Sequence, residues 1–155
     1  MGMDVFGKAP TSDEGEYFRN NVWWWHPLWS YCEDIAPDLI PKGNLGHSND
    51  GWGLDAKGAI ALADRLSKAL ETGATDQFAA AYMARLDSLP LQPCDVCGAT
   101  GKRAPPPRRG PGLLPCNACR GEGRVPDFQT HYPFSAENVR EFVAFLRACG
   151  GFEIR

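Results

Sequence analysis

Four cysteines carry the clearest chemistry in this chain. Cys94, Cys97, Cys116 and Cys119 follow the pattern C-x2-C-x18-C-x2-C. Each pair can grip one metal ion from a tight knuckle, and the spacer lets the two pairs meet. Tetrahedral Zn2+ held by four thiolates is the expected product. Disulfides, an iron–sulfur cluster and unbound thiols compete with it. The N-terminal "MGMDVFGKAP" shows no basic leader followed by an apolar run, which predicts a reducing cytoplasm and argues against disulfides. The paired-knuckle spacing favours zinc over iron. Four thiolates fill the coordination shell and weaken the metal as a Lewis acid, so a structural clasp is expected rather than a catalytic centre.

A second group of candidates could meet a ligand. "NVWWW" (Asn21–Trp25) reads as extended, because Trp favours strands. Trp23 and Trp25 would then face one way and Trp24 the other. Such indoles form either an aromatic pillar in the core or the wall of a pocket for a planar or cationic ligand. "GHSNDGWGLD" (Gly46–Asp55) packs many donors into a glycine-rich turn. It fits neither a calcium loop nor a phosphate loop. The candidate site for a small nucleotide-like ligand is therefore Trp23, Trp24, Trp25, His26, His47, Asn49, Asp50 and Trp52. An enzyme using His47 and Asp50 is an alternative. No Ser-His-Asp or Cys-His arrangement follows from spacing. Cys32 and Cys149 lie on apolar helix faces and read as buried small residues. Glu14, Glu16, Glu33 and Asp34 read as surface charges.

Around the knuckles stand Lys102, Arg103, Arg108, Arg109, Arg120 and Arg124, against Asp95 and Glu122. Six positive charges against two negative leave a formal excess of four in 94–125. A four-thiolate Zn2+ site would halve it to about two. Contact with nucleic-acid phosphates, or an adaptor role toward a protein, is the alternative reading of this hairpin. Its "APPPRRGPG" tip lacks aromatics that could stack on bases.

The rest of the chain must position these groups. At 155 residues, 43% hydrophobic and with a net charge of −3, it predicts one α+β domain over 1–155, with 93–125 inserted as a four-cysteine zinc-binding hairpin. About four helices and short strands are expected. The mild charge gives no global pull toward nucleic acid or an anionic membrane, and no apolar run approaches the ~20 residues of a membrane span. "MDVFG" (Met3–Gly7) predicts a first strand. Pro27 would open a helix over "PLWSYCEDIA", with Leu28, Tyr31, Cys32 and Ile35 on one face. Asp55 should cap "AKGAIALADRLSKALETG", and Thr75 should cap the next helix, with Phe78, Tyr82 and Leu86 along one side. Ser135 should cap "AENVREFVAFLRAC", whose stripe is Val139, Phe142, Val143 and Leu146. "FEIR" predicts a closing strand, paired with the first.

"CNACRGEG" matches in full the C-x-x-C-x-G-x-G repeat of the cysteine-rich zinc module of DnaJ-type co-chaperones, and "CDVCGATG" departs from it at Ala99. The segment resembles that module over about a fifth of the chain. The resemblance implies one zinc site from two repeats, where the module has four repeats and two sites. It does not carry over the chaperone partnership, because "HPL" (His26–Leu28) lacks the Asp of the J-domain's His-Pro-Asp. "MGMDVFGK", "EYFRNNVWWW" and "HYPFSAENVREFVAFLRACGGFEI" look similar to small proteins of bacteria and their phages, which implies a bacterial or phage cytoplasmic origin and no particular activity. The expectation is a non-enzymatic binding protein with one structural zinc ion, its partner a small molecule or a host protein, with nucleic acid as the alternative and no membrane.

Overall fold

The computed structural model describes residues 2–103 and 114–155. Its contacts divide the chain into two units, Met1–Ala84 with Tyr132–Arg155, and Arg85–His131. The architecture is α+β, with four helices and short antiparallel strands among the described residues.

In the first unit, β1 (Gly2–Gly7) lies between β2 (Tyr17–Asn21) and β5 (Phe152–Ile154), antiparallel to both. Val5 pairs with Phe18 on one side and with Ile154 on the other. Alternation decides which face is buried. Met3, Val5, Phe18, Phe152 and Ile154 turn into the core, while Phe6 and Tyr17 stay exposed. The first and last strands pair, as their sequences predict.

The tryptophan run departs from expectation. Strand β2 ends at Asn21, and helix α1 (Val22–Ile35) begins directly after it. Asn21 Oδ1 accepts from the amides of Trp23 and Trp24 at 3.0 and 3.1 Å, capping the helix N-terminus. That cap outweighs the weak strand preference of three indoles. Pro27 falls inside the helix rather than at its start, at the expense of one backbone bond. Trp25 and Trp29, four residues apart, therefore share a face. Both are fully buried and stack with centroids 5.4 Å apart. Leu28, Tyr31 and Cys32 join them in the core, with Ile35 partly buried.

Asp55 caps α2 (Ala56–Glu71) by accepting the Gly58 amide at 2.7 Å. The buried stripe of α2 is Ala59, Leu62, Ala63 and Leu66, and it packs against α4 (Ala136–Ala148). Ser135 caps α4 as expected, accepting from the Asn138 amide at 3.2 Å. Val139, Phe142, Phe145 and Leu146 are buried there, with Val143 at the margin. Thr75 is not the cap of α3 (Ala74–Asp87). It sits within the first turn, fully buried, with its hydroxyl 2.9 Å from that of Tyr31. The core recruits the hydroxyl that the helix end would have used. Phe78 and Tyr82 of α3 pack onto the core, where Phe78 meets Tyr31 and Phe134 at 4.7 and 4.8 Å.

In the second unit, β3 (Gln92–Pro93) pairs with β4 (Arg124–Val125), and a 3-10 turn covers Phe128–His131. Its core is Cys94, Cys97, Cys116 and Cys119, with Val125 packed against them. No described helix is long and apolar enough to cross a membrane.

Candidate metal centre

The two knuckles repeat the same backbone moves. Cys94 O accepts the Ala99 amide at 3.0 Å, and Cys116 O accepts the Gly121 amide at 3.1 Å. Cys97 O then accepts from the Thr100 amide, as Cys119 O does from that of Glu122. The two loops also interlock crosswise. The Cys116 amide donates to Gly101 O at 2.8 Å, and the Cys94 amide donates to Gly123 O at 2.9 Å. Each loop thus completes the other.

Gly101 and Gly123 close the loops, both with positive φ. A Cβ on Gly101 would stand 2.2 Å from Gly121 O, and one on Gly123 would stand 2.3 Å from Ala99 O. No side chain fits either place. Their amides donate to sulfur, Gly101 to Cys97 at 3.3 Å and Gly123 to Cys119 at 3.2 Å. The departure at Ala99 also has a structural account. Each knuckle takes two successive left-handed residues, Gly98 and Ala99 in the first, Arg120 and Gly121 in the second. The repeats place the one glycine of the pair at opposite positions, so each knuckle carries one side chain in left-handed backbone.

All four sulfurs lie within 4.8 Å of one another and are buried, so together they can hold one metal ion. Cys94 and Cys116 Sγ stand 4.0 Å apart, Cys97 and Cys119 Sγ 3.8 Å. No pair is joined as a disulfide. Burial works against ionising Cys97, but the Gly101 amide and the neighbouring cysteine sulfurs outweigh it and bring that thiol below the usual range. Burial pushes the Cys94 thiol up. A cation amid four such sulfurs reverses that cost.

The remaining cysteines fall where the sequence predicts. Cys32 and Cys149 are buried, and burial pushes both thiols up, away from ionisation. Lys102, Arg103, Arg120 and Arg124 are exposed on the knuckle unit. Arg108 and Arg109 lie outside the described residues.

The expected ligand residues are partly dispersed. Trp25 is core, and its indole N–H donates to Gly46 O at 2.7 Å. Trp23 packs edge-on against Tyr132 at 4.9 Å. Trp24 is half-buried and lines a cleft of about 250 Å³, walled by Asn20, Ser135, Glu137, Asn138 and Glu141. Trp52 is half-buried, set edge-on against Trp29 at 5.2 Å. Asn49 is exposed and donates to Gly2 O at 3.2 Å, and Asp50 is exposed. His26 and His47 do come together, with Nδ1 atoms 2.8 Å apart. The carboxylate that His47 meets is Glu33, at 3.2 Å, and not Asp50.

Glu14, Glu16 and Asp34 are exposed, as expected of surface charges, but Glu33 is half-buried and joins the histidines. Its spacing carries a signal. His26 and Glu33 stand seven residues apart, which on a helix puts them on one face two turns apart. That spacing is visible only with Asn21 as the helix cap, which brings His26 into α1. No family model, curated protein or solved structure matches this chain; in Cys94, Cys97, Cys116 and Cys119 the structure shows a four-cysteine cluster able to hold one metal ion.

Proposed function

We propose that this chain is a non-enzymatic binding protein whose knuckle unit is clasped by one structural Zn2+ ion. The sulfur geometry carries the reading. Four sulfurs about 2.3 Å from a common ion stand about 3.8 Å apart along the edges of a tetrahedron. The separations of 4.0 and 3.8 Å between cysteines of opposite knuckles fit that edge. Cys94, Cys97, Cys116 and Cys119 would hold the ion, and the Gly101 and Gly123 amides would orient two of the sulfurs and share their charge. Bound zinc supplies the positive charge that lets four thiolates coexist. A shell filled by four side chains leaves no position for water or substrate, which supports a clasp over catalysis.

The test is metal content combined with local protection. One zinc per chain is expected in the purified protein, and chelation should abolish exchange protection at the Gly101 and Gly123 amides. A metal-free protein with free thiols and those amides still protected would sink the reading.

Recognition then belongs to the protein surface. The small nucleotide-like ligand expected of the tryptophan segment draws little support, because Trp25 is core and the Trp24 cleft carries Glu137 and Glu141, whose charges repel phosphate. An adaptor role for the knuckle unit is the better-supported second reading, since Lys102, Arg103, Arg120 and Arg124 are all exposed. It predicts binding to a polyanion that weakens with salt and with Arg120→Glu and Arg124→Glu together. Salt-independent binding, unchanged in that double variant, would remove it.

A further inference from the structure

In the first unit, the segment between α1 and α2 is tied to α1 by one continuous chain of polar contacts. His47 Nε2 meets Glu33 Oε2 at 3.2 Å, and its Nδ1 meets His26 Nδ1 at 2.8 Å. The other Glu33 oxygen accepts from Asn44 Nδ2 at 2.6 Å. Asn44 Oδ1 accepts from Trp29 Nε1 at 3.0 Å and from the Gly46 amide at 2.8 Å. Gly46 O accepts from Trp25 Nε1. Both buried indoles of α1 thus have their N–H groups satisfied by this segment.

The two imidazoles face each other end to end. Their centroids are 5.0 Å apart against 2.8 Å for the nitrogens, so the two lone-pair axes lie close to one line. That is hydrogen-bond geometry; two nitrogens sharing a metal would aim at a third point between them. One such bond needs one hydrogen, donated by one Nδ1 and accepted by the other. With both rings neutral, His47 keeps its hydrogen on Nε2 toward Glu33 and accepts from His26 Nδ1–H. With one added proton, His47 carries hydrogens on both nitrogens and donates to His26 Nδ1. With two added protons, N–H faces N–H, neither can accept, and two like charges are in contact.

We propose that the His26–His47 pair is an acid-sensitive latch, holding the 41–48 stretch on α1 while it carries no more than one added proton and releasing it when the second arrives. The groups that face the pair are Glu33 from α1 and Tyr132, whose ring lies 5.9 Å from that of His26. Asp34 and Lys42 share with Glu33 a neighbouring cleft of about 400 Å³. Burial, and then the charge of His47, hold His26 below the usual histidine range. A group depressed in the folded state contributes its stability above its unfolded pKa, about 6.5 for His, and loses it as pH falls through the folded value. The latch therefore opens on the acid side of that range. Gly46 lies directly on the Trp29 ring, where an added Cβ would come within 2.1 Å of it. Release uncovers that indole.

The test follows tryptophan emission and Gly46 amide protection in the intact protein from pH 8 to pH 5. The expected result is a red-shifted emission and a Gly46 protection factor falling about tenfold per pH unit, in one step below the ordinary histidine pKa. His26→Asn keeps a group that can donate or accept but cannot titrate, and should abolish the step. Flat emission and protection in the natural protein, or an undiminished step in H26N, would overturn the latch. Should H26N fail to fold, imidazole nitrogen shifts of the natural protein decide it. Two separated titrations, the second below the usual range, support the latch, and two independent titrations at ordinary values overturn it.

Discussion

The two units solve one problem with different materials. Ordering a chain costs about 1–2 kcal/mol per residue, and something buried must offset it. The first unit buries Trp25, Trp29, Phe142, Phe145 and Phe152 together with aliphatic side chains such as Val5, Leu28, Leu62, Leu66, Val139 and Ile154. The second buries four cysteine sulfurs. In the first, stabilisation is spread over many contacts, so single losses are partial. In the second it is concentrated at one point, so a single loss should be total. The contrast locates where each unit can fail.

Removing one sulfur should have the largest effect. Cys119→Ser should lose the metal and melt the knuckles, since apparent binding energies of about 10–16 kcal/mol are typical of structural zinc sites. Near-ultraviolet circular dichroism of the buried tryptophans should be unchanged by the same substitution. A collapse of that signal would mean the two failures are not separate. Trp29→Ala comes next, with an expected loss of about 3–5 kcal/mol in denaturant unfolding and metal content still at one ion per chain.

Smaller changes probe the local accounts. Asn21→Ala removes the cap that turns the tryptophans into a helix and should cost about 1 kcal/mol. Asn21→Ser should restore most of it. A cost near zero would mean that α1 is held in place by its packing alone. Ala99→Gly should have the smallest effect, a gain of up to about 1 kcal/mol from relieving left-handed backbone, read as slower loss of metal to a competing chelator. The matching change in the other knuckle is Arg120→Gly, and a gain in only one of the two would show that the knuckles are not equivalent.

Much of this architecture is legible locally. The four-cysteine pattern, the Asp55 and Ser135 caps, the stripe of α4 and the first and last strands all depend on residues close in sequence or on simple alternation. Expectation and structure part where one signal overrides another, across space in one case and along the chain in the other. Thr75 has the chemistry of a cap but is claimed by Tyr31, 44 residues away. The tryptophans have strand preferences, yet the Asn21 side chain starts a helix through them.

Spacing alone establishes that two pairs of thiols can share one ion, because a knuckle is a local object whose spacing sets its geometry. The first and last strands and the Asp55 and Ser135 helix caps follow from the chain for the same reason. That Glu33 and not Asp50 meets His47, and that Trp25 and Trp29 are core rather than surface, emerges only from the folded arrangement. Those outcomes depend on how the segment between α1 and α2 lies along α1, and no local periodicity encodes that placement.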